Sequence, residues 1–168
     1  SFNVIALVDN RPKQLSLIEI LKEFIKFRRE VVTRRTVYLL RQDRRKAFLD
    51  EGLIVAKSNI QRIIDIVTSA ANAEDARNKL MSETWDGALV SSVMEYDENG
   101  VNICLPIGIE DNRGLIDGRY HLSEDQAKAI LSLQLHRLTH LATEEIQKDY
   151  QQLKENIKGY LEILNSTP

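Results

Sequence analysis

Apolar residues recur at alternating steps of four and three positions from Ile18 to Val67, and this spacing constrains the fold more than any other feature. Such a pattern is typical of a helix that packs along a partner helix. A continuous helix from Ser16 to Val67 would be about 80 Å long at 1.5 Å per residue, which exceeds the size of a compact globule. The spacing therefore predicts a coiled-coil arm, with a bend or a change of neighbour at Gly52, because glycine weakens a helix interior.

The same spacing returns in the last segment of the chain, from Ile146 to Leu164. Two such segments separated by a less regular region predict an antiparallel helix pair, with the region between them forming a head at the far end. The predicted contact positions, called here the seam, are Ile25, Val32 and Leu39 on the outgoing helix and Ile146, Tyr150, Leu153 and Ile157 on the returning helix.

Local signals place the starts of individual elements. Ser16 with Glu19, and Ser123 with Gln126, have the spacing of a helix capping box. Before Ser16, the β-branched stretch around a turn signal at Asp9-Asn10 predicts two short strands. Two strands alone are marginal in water, so we expect them to be the end of a sheet whose other strands lie outside this chain, which makes the chain a fragment.

These signals together predict a mainly α fold: a long antiparallel coiled-coil pair, a small helical globular head and a short β-hairpin at the N-terminus. Residues 82–122 have many turn signals and are expected to be irregular. The predicted divisions are terminal strands of a neighbouring domain at 1–15, an outgoing helix at 16–48, a head at 49–142 and a returning helix at 143–168.

Composition restricts the setting of the protein. Cys104 is the single cysteine, and no segment has the pattern of a signal peptide. No apolar run approaches the roughly 20 residues that cross a bilayer. We therefore expect a cytoplasmic protein without a membrane partner.

Charge is distributed unevenly along the chain. Residues 1–46 hold 12 Lys/Arg and 5 Asp/Glu, whereas residues 47–168 hold 11 and 20. Within the basic part, Arg34, Arg41 and Arg45 fall on one side of the predicted helix, away from the seam. This basic stripe has three interpretations: a solvated face, a surface that attracts nucleic-acid phosphates, or a contact with a protein partner. Binding to phosphates would be non-specific and salt-dependent, because such charges do not read bases.

Signals for catalysis or metal binding are weak. His136 and His140 have a spacing that can bind zinc, but the intervening glutamate of the zincin motif is missing and the only cysteine is distant. There is no glycine-rich phosphate loop and no clustered acidic metal site. We expect no catalytic residue, no metal site and no cofactor in this chain, with Cys104 as a small apolar filler.

Four ordered blocks resemble a known family. They are RREVVTRRT at 28–36, EGLIVAKSNIQRIIDIV at 51–67, GLIDGRYHLSEDQAKAILSLQLHRLT at 114–139 and EEIQKDYQQLKENIKGYLEIL at 144–164. In order and spacing they are similar to the A subunit of bacterial DNA gyrase, a type IIA DNA topoisomerase. The resemblance covers essentially the whole chain. A non-enzymatic coiled-coil scaffold and the equivalent region of the topoisomerase IV A subunit remain as alternatives.

The resemblance implies the coiled-coil arm and the exit gate, or C-gate, of a protein that breaks and rejoins duplex DNA during ATP-dependent negative supercoiling. The family's cleaving tyrosine sits in an Arg-Tyr-Thr context, which none of the five tyrosines here has. The fragment is therefore expected to be inactive alone. In the parent A2B2 complex, Mg2+ and ATP would act through the gyrase B subunit.

The resemblance also implies two interactions of this chain. A homodimer would form through the head, with Leu122, Ser123, Gln126, Ala127 and Ile130 as the predicted contact residues. Duplex DNA would pass between the two arms, guided weakly and non-specifically by the basic stripe.

Overall fold

The chain forms a two-helix arm and a head in the computed structural model, which describes residues 3–8, 11–133 and 135–166. The elements in chain order are β1 Asn3–Val8, β2 Arg11–Ser16, α1 Leu17–Ser58, α2 Ile60–Ser69, α3 Ala73–Ser82, β3 Trp85–Asp86, α4 Ala88–Val93, β4 Gly114–Ile116, β5 Arg119–His121, α5 Glu124–Ser132, α6 Leu135–His140 and α7 Thr143–Ser166. The predicted mainly α fold is confirmed.

The N-terminal strands form a hairpin that leads directly into the first helix. β1 and β2 pair antiparallel, with Val8 opposite Arg11; the predicted turn at Asp9-Asn10 lies outside the described residues. At the start of α1 the backbone N–H of Glu19 donates to Ser16 Oγ at 3.3 Å, and the Ser16 N–H donates to Glu19 Oε2 at 3.0 Å. This reciprocal pair satisfies two donors that a helix start leaves open. The predicted capping box is confirmed.

Helix α1 runs without interruption through Gly52 and ends at Ser58, with Asn59 as its C-cap. A Cβ at Gly52 would lie 3.0 Å from both Cβ and Cγ of Gln126, which is closer than side-chain carbons normally approach. The glycine therefore lets α5 come close to α1. The change of neighbour that the sequence suggested occurs here without a break in the helix.

Helix α7 returns antiparallel along the second half of α1. The hydroxyl of Tyr150 donates to Glu51, and farther down the arm the amide of Asn156 donates to Asp43 Oδ2 at 3.3 Å. Residue numbers thus rise along α7 as they fall along α1. All four predicted seam positions of α7, from Ile146 to Ile157, are buried.

The predicted seam of α1 lies beside the face that α7 covers. Ile25 and Val32 are 50% and 47% exposed, and Leu39 is only half-buried. The face that α7 covers carries Thr36, Leu40, Asp43 and Ala47. At 100° per residue, these four positions lie on average about 50° around the helix from the predicted ones.

The first half of α1 is not covered by the returning helix. With 24 residues α7 is about 36 Å long, against about 63 Å for the 42 residues of α1. Leu164, near the end of α7, shares a groove with Ile25 and Thr33. Large apolar side chains remain exposed on this half: Leu17, Ile18, Leu21, Phe24, Ile25, Phe27, Val31 and Val32.

The head contains a small sheet that sequence patterns did not predict. β5 lies between β3 and β4 and pairs antiparallel with both. Asp117 and Gly118 join β4 to β5 with φ angles of 50° and 78°, as in the two-residue turns that favour Asp-Gly. Trp85, in β3, is buried and donates its ring N–H to the Leu80 carbonyl at 3.1 Å. The expectation that 82–122 is irregular is therefore corrected.

Candidate functional site

The basic stripe lies on the exposed face of α1. Arg34, Arg41 and Arg45 are all exposed, and they sit about 130° around the helix from the face of Leu40 and Ala47 that contacts α7. Among the residues that the structure describes, none of the three arginines forms an ion pair or a side-chain hydrogen bond. Their charge is therefore available to an anionic partner.

A cleft opens where this stripe passes the head. It has a volume of about 210 Å³ and is lined by Arg41, Arg44, Arg45, Pro106 and Ile107. Arg44, a residue that sequence reasoning did not select, forms part of its wall. Its spacing of three from Arg41 was the available signal, because positions three apart share a helix side.

The predicted dimer contact residues are buried within the chain's own head, and the contact itself stays a prediction. Leu122, Ser123, Gln126, Ala127 and Ile130 are between 0 and 6% exposed. Helix α5 presents these positions to α1 and α3, where they close the core. Its exposed positions are polar or charged, such as Glu124 and Lys128. The predicted capping box itself is confirmed, with Ser123 Oγ and the Gln126 side chain each accepting from the other's backbone N–H.

Exposed apolar side chains in the head lie elsewhere. Tyr96, Val101 and Ile107 belong to the turn-rich segment between α4 and β4 and are 46%, 46% and 80% exposed. Sequence reasoning passed over them because it treated that segment as irregular. Apolar residues placed between turn residues were the available sequence signal, because such residues are not expected to be buried in a core. These three form the head patch.

A buried carboxylate links arm and head. Glu51 of α1 is fully buried; its Oε1 accepts from the Tyr120 hydroxyl, and its Oε2 accepts from the Tyr150 hydroxyl and the Asn102 amide, each at 2.9 Å. Burial raises the pKa of Glu51 to about 7, although the three donors act in the opposite direction. The side chain thus ties β5, α7 and a head loop to α1.

A glutamine extends this network toward α5. The side-chain amide of Gln126 donates to the Tyr120 hydroxyl at 2.7 Å and to the Phe48 carbonyl at 2.6 Å. Gln126 is itself fully buried. All of its polar atoms have partners, as buried polar groups require, so its role is structural.

A second acidic contact lies on the same part of the arm. Burial raises the pKa of Asp50 to about 8, and the neighbouring carboxyl of Asp149 on α7 adds to the rise. Asp50 Oδ2 is itself buried. Two carboxyls placed together disfavour simultaneous ionisation, so this contact between α1 and α7 is sensitive to pH.

The remaining reactive side chains are unsuited to nucleophilic chemistry. Burial raises the pKa of the Cys104 thiol to about 12, so the thiolate is disfavoured at neutral pH. Burial likewise raises the pKa of Tyr120 and Tyr150, which are engaged by Glu51. These three side chains are buried and pack in the interior of the protein.

The two histidines of interest form a ring contact. His136 and His140 on α6 stack edge to face, with ring centroids 4.7 Å apart. Within residues 3–8, 11–133 and 135–166 no three His, Cys, Asp or Glu side chains group in a way that could hold a metal ion. In the same ranges, no helix combines the length and the apolar character needed to cross a bilayer.

The fold defines the chain as a helical arm that carries a compact head, with an arginine stripe on the outer face of the arm. The family model for the DNA gyrase/topoisomerase IV A subunit matches residues 1–168, and the chain belongs to this family.

Curated relatives agree with this assignment. The DNA gyrase A subunit of Pseudomonas aeruginosa is 41% identical over 164 residues, which is 98% of this chain and 18% of the relative. The same protein of Neisseria gonorrhoeae is 39% identical over 163 residues, and that of Escherichia coli (strain K12) is 38% identical over 148 residues. The chain spans less than a fifth of the length of these relatives.

Proposed function

We propose that this chain is the coiled-coil arm and exit gate of a type IIA topoisomerase A subunit, and that two copies close the gate by pairing their heads. The observation that carries the proposal is the continuation of α1 from the arm into the head, where Glu51 is bonded to Tyr120 and Tyr150. A movement of the arm would be transmitted to the head through this fully buried connection.

The proposed contact between the two copies is the head patch. Closed dimers have twofold symmetry, so the same surface must serve both partners. Tyr96, Val101 and Ile107 supply exposed apolar area on the head, whereas the buried positions of α5 cannot reach a second copy. An apolar centre with a polar rim is the usual anatomy of such an interface.

The proposed role of the basic stripe is to guide a duplex that passes between the two arms. Arg34, Arg41 and Arg45 face away from α7 and have no acidic partner in the described part of the chain. Contacts of this kind are sequence-independent and weaken steeply with salt. A guide surface requires weak binding, because the duplex must leave again.

The parent activity is proposed from the relatives, which are DNA gyrase A subunits. The parent complex would break and rejoin duplex DNA during ATP-dependent negative supercoiling, with Mg2+ and ATP acting through the gyrase B subunit. No tyrosine of this chain is proposed as the cleaving residue, so the chain alone would neither cleave nor supercoil DNA. The matching family model covers topoisomerase IV as well as gyrase, and a supercoiling assay of the parent complex separates the two.

Sedimentation equilibrium tests the gate. The expected result is a dimer that Val101→Glu dissociates, because the substitution places a charge in the contact. Ile5→Glu is the matched control: Ile5 is also exposed, at 74%, but lies on the hairpin. A wild-type chain that stays monomeric at high protein concentration contradicts the gate. A dimer that resists Val101→Glu contradicts the head patch as its contact.

A further inference from the structure

The cleft beside the stripe differs from the rest of the arm surface because the head closes one side of it. Arg41, Arg44 and Arg45 come from α1, and Pro106 and Ile107 form the facing wall. The apolar wall excludes water from one side of the guanidinium groups. Electrostatic interactions strengthen where water is excluded.

Arg44 is held in a fixed orientation at the base of the cleft. Its Nε donates to the Ile103 carbonyl at 2.9 Å, which ties the guanidinium to the head loop. Its terminal N–H groups have no partner among the described residues. Burial lowers the pKa of Arg44, although the Cys104 thiol and the Asp97 carboxylate act in the opposite direction. A partly desolvated cation with free donors is favourable only when an anion approaches it.

The other two arginines add charge without internal compensation. Arg41 and Arg45 lie about one helical turn apart on α1, and both line the cleft together with Arg44. Neither forms an ion pair with a described carboxylate. The three guanidinium groups therefore converge on one volume that no acidic side chain of the described chain occupies.

We propose that this cleft binds one phosphate group of a duplex DNA backbone, and we call it the seat. The guanidinium group of Arg44 holds the phosphate in one orientation, and Arg41 and Arg45 contact its remaining oxygens. The proposal rests on the proposed function for its choice of duplex DNA. It adds to that function a fixed contact point where the arm meets the head.

Phosphate suits the cleft better than a carboxylate does. A phosphodiester presents oxygens in a tetrahedral arrangement, which several planar guanidinium forks can contact from different sides. A carboxylate presents two oxygens in one plane and pairs fully with a single fork. An acidic peptide is therefore the disfavoured occupant, and the experiment below includes it as a competitor.

The seat and a simple stripe differ in their salt dependence. Each neutralised phosphate of a B-form duplex contributes about 0.9 to the slope of log affinity against log salt. If Arg41, Arg44 and Arg45 contact one phosphate together, Arg44 still neutralises that phosphate when Arg41 and Arg45 are removed, so the slope changes little while the affinity falls. If Arg41 and Arg45 contact separate phosphates, removing both lowers the slope by about 1.8.

Fluorescence anisotropy of a labelled duplex, titrated with the full chain between about 50 and about 200 mM salt, measures this slope. The variants are Arg41→Gln, Arg45→Gln and their double variant; neither wild-type side chain forms an ion pair or a hydrogen bond with a described residue. Arg28→Gln is the matched control, since Arg28 is exposed on α1 outside the cleft.

For the double variant the seat predicts a several-fold loss of affinity with little change of slope, and for Arg28→Gln it predicts little change of either. Arg44→Lys keeps the charge but loses the fork, and is expected to weaken binding several-fold while the thermal midpoint confirms folding. An additive loss of about 1.8 overturns the seat and leaves the guide surface intact. Unchanged binding in every variant overturns both the seat and the DNA part of the proposed function, while the dimer remains testable by sedimentation. Displacement of the duplex by an acidic peptide at lower concentration than by an unlabelled duplex also overturns the seat.

Discussion

Replacing Glu51 by glutamine tests whether the buried carboxylate makes the fold depend on pH. The carboxylate is fully buried, with three neutral donors and no cation bonded to it. Its pKa is raised from 4.5 to about 7, mainly by burial. The protonated form is therefore favoured in the folded chain. The resulting stability is fully present below about pH 4.5 and is lost as the pH rises to about 7.

The magnitude follows from the size of the shift. One pKa unit corresponds to about 1.4 kcal/mol, so the wild-type chain loses about 2.5 kcal/mol from this residue between about pH 5 and about pH 8. Glutamine has no charge to bury. The glutamine carbonyl can take the place of Oε2 and accept from Asn102 and Tyr150. Its amide would lie where Oε1 now accepts from the Tyr120 hydroxyl, and the loss of that hydrogen bond costs about 1 kcal/mol.

Glu51→Gln is thus expected to match the wild type near pH 5 and to exceed it by about 2 kcal/mol near pH 8. Urea unfolding at the two pH values measures this difference. Glu162→Gln is the matched control, because Glu162 is exposed on α7 and should not change the pH profile. Parallel profiles for the wild type and Glu51→Gln refute the reasoning. A carbon NMR titration of the Glu51 carboxyl measures its pKa directly, and a midpoint near 4.5 also refutes the reasoning.

Three further substitutions examine the packing of the arm and head. Gly52→Ala would press a methyl group onto Gln126. Because this strain outweighs the better helix propensity of alanine, we expect the free energy of unfolding, measured in urea, to fall by about 1 kcal/mol. A rise in that free energy contradicts the close approach. Ser123→Ala removes the helix cap and should cost about 1 kcal/mol by thermal unfolding; an unchanged midpoint rules out a stabilising role for that cap. Asp149→Asn removes the acidic neighbour of Asp50, so the NMR titration midpoint of Asp50 should fall below about 8 while burial keeps it above its ordinary value. No movement of that midpoint contradicts the contact.

The capping boxes were predictable from sequence because their interactions are local. Ser16 with Glu19, and Ser123 with Gln126, are three residues apart and satisfy each other's backbone donors within one helical turn. No distant part of the chain is needed to form them. The positions at which α1 and α5 begin could therefore be inferred before any packing was known.

The face of α1 that is buried could not be inferred in the same way. Apolar spacing on the outgoing helix favours Val32 and Leu39, but the observed face carries Thr36 and Asp43 as well as Leu40. Thr36 bonds to the carbonyl of Val32, and Asp43 accepts a hydrogen bond from α7. Buried polar residues such as these look like surface residues in a sequence.

The burial of the predicted dimer contact residues could not be inferred from sequence for a related reason. Ala127 and Ile130 form an apolar side of α5, and a sequence cannot tell whether such a side meets the chain's own core or a second copy. Only the approach of α5 to Gly52 and α3 decides this, and it buries the whole set. The structure also separates the exposed apolar residues of the head patch from the apolar residues that are buried in the core.

The sequence by itself determined the family, the helical class, the seam of α7 and the uneven distribution of charge, because these depend on local order and composition. The tertiary structure alone decided the face of α1, the burial of Glu51 and the meeting of Arg44 with the head loop. Each of these depends on contacts between residues about 60 or more positions apart, such as Arg44 with Ile103 and Glu51 with Tyr150. Those contacts have no periodic signal, since they are set by how whole helices pack.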